Sequence, residues 1–171
     1  MKTIVIWFSL CIMATSVFAQ MQSGGGWSVK SFVDEFGDPT GSTYYETYVQ
    51  GTYTTDIAKN TGTGRIYCFA YTQKSFGVLI TRNGNPITWF LPIKDQFTLA
   101  IKDLNDGKTY RFPCIGIQNN QEFLFSLTGD LARLLHSDHR LQFALSEQMR
   151  NSPLLVVASF TMTGELPTGG L

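Results

Sequence analysis

Charge is sparse in this chain, and histidine and cysteine are sparser still. Lys and Arg together number 13, Asp and Glu 13, and there are two histidines and three cysteines in 171 residues. So even a balance leaves no basic surface to neutralise a phosphate backbone or an anionic bilayer, which argues against nucleic acid as a partner. Beyond the first twenty residues no apolar run approaches the roughly 20 residues a helix needs to cross a bilayer. The familiar catalytic signatures are missing too. No Gly-x-Ser-x-Gly nucleophile elbow occurs. Gly62-Thr63-Gly64 is followed by no Lys-Ser/Thr pair and opens no helix, so it is no phosphate loop. His136 and His139 flank Asp138 at a spacing that zinc could use on a helix with a third ligand. The helical pattern ends there, however, and the residues read as a solvated helix end, where cations suit the local dipole. The sequence implies no metal and no cofactor.

The first twenty residues, MKTIVIWFSLCIMATSVFAQ, carry one positive charge at Lys2, an apolar run from Ile4 to about Met13, and Val17-Phe18-Ala19 at the close. This is the pattern of a secretory leader cleaved after Ala19, and it implies export to the periplasm or beyond. Leu10 precedes Cys11 where a lipoprotein signal carries Gly, Ala or Ser, which argues against a lipid anchor. With Lys2 gone, residues 20–171 hold one more acidic than basic side chain. Residues 20–26 (QMQSGGG) read as a flexible tether and 27–171 as a single domain. Cys68 and Cys114 survive cleavage. In an oxidising compartment they are a candidate disulfide, which would stabilise by about 3–4 kcal/mol in the chain-entropy model. The alternative is two buried small hydrophobes that never meet.

What the chain does have is short apolar–polar alternation punctuated by turn residues. Strands are expected over Tyr44–Val49 and Thr52–Thr54, RIYCFAYT (Arg65–Thr72), FGVLIT (Phe76–Thr81), ITWFL (Ile87–Leu91), FTLAIK (Phe97–Lys102), Tyr110–Ile117 and LLVVASFT (Leu154–Thr161). Asn83-Gly84 and Asn105-Asp106-Gly107 mark hairpins. One stretch breaks the pattern. Leu131, Leu134 and Leu135 share a helical face, with Asp130 as the expected N-cap, giving one short α-helix near 130–136. The fold class is all-β, an antiparallel β-sandwich with a small closed barrel as the alternative.

Three acids crowd the stretch VDEFGDPTGS (Val33–Ser42): Asp34, Glu35 and Asp38. Asp38-Pro39-Thr40-Gly41 fits a type I turn, with Asp bonding forward, Pro fixing φ and Gly closing. A structural loop would bury Phe36 in the domain edge for roughly 2 kcal/mol. A calcium loop is disfavoured because Phe36 falls where an oxygen ligand is required. Adjacent Asp34 and Glu35 would point to opposite faces of a strand, so they make no glycosidase pair by themselves. Aromatics, at 13 % of residues, are the other lead. Tyr44, Tyr45 and Tyr48 follow the acids, and Trp89 adjoins Phe90, so one ring of each adjacent pair should face outward, as rings do in sugar and protein recognition. Asp34, Glu35, Asp38, Tyr44, Tyr45 and Trp89 are therefore the candidate binding residues.

The run WSVKSFVDEFGDPTG, followed by a Tyr-rich strand and GTYTT, resembles the start of a family of exported bacterial proteins with no established activity. The likeness spans Trp27 to Thr55 and departs after it, where DIAKNTGTG stands. It implies an exported β-domain and adds no catalytic residue. The expectation is an exported, non-enzymatic module that binds a protein or envelope component. The alternative is a carbohydrate-binding or weakly hydrolytic site around the acidic loop and its tyrosines.

Overall fold

A computed structural model describes residues 26–55, 60–72, 74–89, 92–148 and 154–168. The expected leader, and all of the tether but Gly26, lie outside them. The described strands are β1 Ser28–Val33, β2 Pro39–Thr55, β3 Asn60–Tyr71, β4 Ser75–Arg82, β5 Asn85–Pro86, β6 Phe97–Asp103, β7 Thr109–Gln118, β8 Glu122–Ser126, β9 Arg140–Glu147 and β10 Leu155–Thr163; helix α1 is Gly129–Leu135. All pairings are antiparallel. They run β2-β10-β9-β6-β7-β8-β4-β3, and β3 returns to β2. The strands therefore form a closed eight-stranded barrel, with β1 and β5 as additions outside the ring. Of the two architectures expected, the barrel is realised and the sandwich is not.

The reason lies in one long strand. The sequence pattern breaks β2 at Gly51, yet β2 continues through it for 17 residues. Its first part pairs β1, from Ser28↔Glu46 to Val33↔Pro39, and its later part pairs β10 on the same edge through Gly51, Thr52 and Tyr53. A Cβ at position 51 would stand 2.6 Å from the Ser159 carbonyl oxygen and 3.0 Å from Phe160 Cβ. Glycine lets β2 and β10 approach closely enough to close the ring.

Inward-facing side chains fill the barrel. Phe76, Phe97, Phe123, Phe125, Phe143, Ile66, Ile80, Leu99 and Ile101 are all but fully buried, each worth about 2–3 kcal/mol relative to exposure. Phe143 and Phe160 stack at 4.6 Å. Outward positions include the exposed Arg65, Lys102, Arg111 and Gln142. The interior is apolar, unlike the polar interior of a membrane-spanning barrel. Among the described residues no helix is long and apolar enough to cross a membrane.

Two crossing connections close the ends. Residues 127–139 cross one end and carry α1, whose Leu131, Leu134 and Leu135 are fully buried, as their shared face predicts. The N-cap is Thr128 rather than Asp130, which lies in the first turn and pairs with Arg133 at 3.2 Å. At the opposite end, Asn83-Gly84 makes the expected tight turn, both residues with positive φ. Of the strand expected over Ile87–Leu91, the described residues 87–89 form none. Pairing with β4 is limited to the two-residue β5 and one further bond from the Ile87 N–H to the Ile80 carbonyl at 2.9 Å. The chain then lays Trp89 over the barrel end, edge-on to Phe97 and Phe123.

Candidate functional site

The acidic stretch is the β1–β2 turn, built differently from its sequence pattern. Asp34, not Asp38, organises it. Asp34 Oδ1 accepts the backbone N–H of Phe36 at 2.9 Å and of Asp38 at 3.0 Å, and the Gly37 N–H donates to the Asp34 carbonyl at 3.1 Å. Gly37 sits at φ +89°, a conformation that glycine adopts without strain. The loop is thus Glu35-Phe36-Gly37, a three-residue hairpin connection. The turn expected at Asp38–Gly41 does not form, because Pro39 already begins β2, a position that tolerates its missing N–H. Phe36 is 83 % exposed, so it is no anchor. The turn is held by hydrogen bonds. Among the described residues no group of three His, Cys, Asp or Glu could hold a metal ion.

Other expected residues part company. Tyr44 faces outward, whereas Tyr45 and Trp89 are each 7 % exposed and belong to the core; Phe90 lies outside the described residues. Cys68 and Cys114 are both buried thiols, not a disulfide. They stand on β3 and β7, which β4 and β8 separate in the ring. Burial pushes both thiols up from their ordinary value, so neither is a reactive nucleophile. His136 and His139 do not converge. His136 Nδ1 is 2.7 Å from the Leu166 carbonyl, and His139 Nδ1 is 2.6 Å from Asp103 Oδ2. Asp103 also accepts the Asn105 N–H at 2.9 Å.

A ladder of rings that the candidate residues only touch covers the outer face of β1, β2 and β3. Phe32 packs on Tyr44 at 4.8 Å and on Tyr71 at 6.1 Å. Tyr67, Phe69 and Tyr71 follow one another along β3 at 6.4 and 6.0 Å, and Tyr48 meets Tyr67 at 5.7 Å. The Arg65 guanidinium lies 5.2 Å from the Tyr48 ring centre and ends the row. The sequence signal is Tyr67-x-Phe69-x-Tyr71. Alternate strand residues share a face, and the intervening Ile66, Cys68 and Ala70 are fully buried.

Tyr71 is the best-fixed ring. Its hydroxyl donates to Glu122 Oε1 at 2.7 Å. Gly77, beside Tyr71 on β4, leaves the space that Glu122 occupies; a Cβ there would overlap the carboxylate. Burial holds the Glu122 carboxyl above its ordinary value, and the Tyr71 bond offsets this only in part. Next to the pair lies a groove of about 390 Å³. Phe32, Thr40 and Ser42 of the β1–β2 hairpin border one side. Tyr71, Thr72, Ser75, Gln118 and Leu124 complete it. A second groove, about 380 Å³, runs over β2, β9 and β10 beside Gln50, Thr52, Arg140 and Ser159, and its Thr52 and Ser159 hydroxyls bond one another at 2.9 Å.

Protein-family models, curated proteins and solved structures offer no match to this chain.

Proposed function

We propose that the chain is an exported module that works by binding, and that its outer ring ladder on β1–β3 presents the binding face to a protein or envelope component. The observation that carries this reading is the ladder itself. Six large rings lie along one outer face, with Phe32 40 % and Tyr48 38 % exposed. A folded domain rarely leaves so much aromatic surface open without a use for it. Rings with a polar edge are the side chains that dominate recognition surfaces. The leader pattern and the likeness of Trp27–Thr55 to exported bacterial proteins support the location.

The alternative centred on the acidic loop loses its motivation. The Asp34 carboxylate is engaged by two backbone N–H groups of its own turn. The experiment is capture from the envelope fraction of the producing cell, comparing the wild-type chain with Tyr48→Ala/Phe69→Ala and Asp34→Ala/Asp38→Ala. The ring variant should lose capture and the acid variant should keep it. The opposite pattern refutes the ring-face reading.

A further inference from the structure

Ring ladders bind many things, but the groove at the Phe32 end is chemically narrower. None of its described lining residues carries a charge. Two of them, Phe32 and Tyr71, are rings lying 23° from parallel. Around the rings stand Ser42, Thr72, Ser75 and Gln118, whose side chains make no hydrogen bond among the described residues. Three hydroxyls and a primary amide offer both donors and acceptors. Tyr71 is held in place through Glu122, so its ring needs little ordering when something docks on it. A ligand that suits such a groove is uncharged, has a flat apolar face for the rings, and carries hydroxyls around its rim.

We propose that this groove is a subsite for a neutral pyranose within an oligosaccharide. The sugar's C–H face lies against Phe32 and Tyr71, and its hydroxyls meet Ser42, Thr72, Ser75 and Gln118. The volume of about 390 Å³ fits one to two sugar rings. An extended peptide is the lesser fit, because nothing in the lining matches a charged side chain. Glu122 acts as a positioning residue, through Tyr71.

This inference deepens the ring-face reading and rests on it, so the test must separate the two. The full exported chain is titrated calorimetrically with chitotetraose and with cellotetraose, both neutral. At least one should bind saturably. Phe32→Ala and Gln118→Ala, on opposite sides of the groove, should each weaken that binding roughly three- to tenfold, the loss of one ring contact or one hydrogen bond. Gln118 is exposed, so its variant folds even if Phe32→Ala does not. Glu122→Gln should bind like the wild type, since an amide oxygen still accepts from Tyr71; Glu122→Ala, which releases Tyr71 and removes the side chain opposite Gln118, should weaken binding. Absence of binding to both sugars, or binding unchanged in both groove variants, overturns the proposal. If the sugars fail while Tyr48→Ala/Phe69→Ala still abolishes envelope capture, the groove is wrong and the ring face stands. If the sugars bind through the groove and that ring variant captures normally, the ring face is wrong and the groove stands.

Discussion

Two hairpin turns at the same end of the barrel open on the same device. Asp34 closes β1 and Asp103 closes β6, and each accepts the backbone N–H two residues on, at 2.9 Å in both cases. Each is followed by a glycine with positive φ, Gly37 and Gly107. From there they diverge. The Asp34 turn stands in solvent with Phe36 83 % exposed. Asp103 is 1 % exposed because it ends β6 on the inward face shared by Phe97, Leu99 and Ile101, and His139, arriving after α1, takes its second oxygen. The local chemistry is one, but Asp103 ends a strand whose alternate residues face the core and finds His139 there, 36 residues on, whereas Asp34 follows a strand exposed along its length. Acids clustered in sequence are therefore poor guides to a site here, and a lone acid can matter more.

Replacing Asp103 by Ala should give the largest loss of the series. It leaves His139 and the Asn105 N–H without their acceptor beneath the helix crossing, and the melting temperature should fall further than for any variant below. The same pair sets a pH signature. The hydrogen bond to Asp103 holds His139 above its ordinary value of 6.5. Burial alone would raise Asp103, but the bonds from His139 and from the backbone N–H groups of Asn105 and Asp106 hold it below its ordinary 3.8. The His139 contribution is complete below pH 6.5 and is lost as pH rises through its raised value. The Asp103 contribution is complete above pH 3.8 and is lost as pH falls through its lowered value. Urea midpoints of wild type and His139→Gln should therefore differ most near pH 5–6 and converge toward pH 9. A gap that widens with pH would contradict the pairing.

Glu122→Ala comes next, at about 1.5 kcal/mol in denaturant unfolding, from the half-buried Tyr71 hydroxyl left without its acceptor. Asp34→Ala should cost about 1 kcal/mol, since it frees two backbone N–H groups that water can then reach. Smallest are Asp38→Ala and Phe36→Ala, each within about 0.5 kcal/mol, as expected for exposed side chains that hold nothing. Calcium should not raise the melting temperature of any of them. Loss on Asp38→Ala equal to that on Asp34→Ala would erase the distinction between a turn built on Asp34 and one built on Asp38.

Much of this architecture is legible in the residues. Alternation marks β3, β4, β6 and β7, an apolar run marks β10, Asn83-Gly84 and Asn105-Asp106-Gly107 mark two turns, and Leu131, Leu134 and Leu135 mark the helix, whereas β8 is not among the expected strands. Barrel against sandwich is not legible locally, because it turns on Gly51 passing beneath Ser159, a contact between strands more than a hundred residues apart. Asp38-Pro39-Thr40-Gly41 misleads because its turn propensity is real but β1 pairs with Pro39 first. Tyr45 and Trp89 were expected from ring adjacency on strands, which requires one ring of a pair to face outward but does not say which; at Tyr44-Tyr45 it is Tyr44. Tyr67-x-Phe69-x-Tyr71 was available to period-two reading, whereas Glu122 and Gln118 were not, since only the β4–β8–β7 neighbourhood brings them beside Tyr71.

The central claim, that the ring face and not the acidic turn makes contact, is tested most directly by backbone amide chemical shifts of the labelled chain as the isolated binding component is added. The account predicts that the largest changes map to Phe32, Tyr44, Tyr48, Tyr67, Phe69 and Tyr71, with Asp34 to Asp38 little moved. Changes concentrated on Asp34, Glu35 and Asp38, with the β3 rings silent, would contradict it.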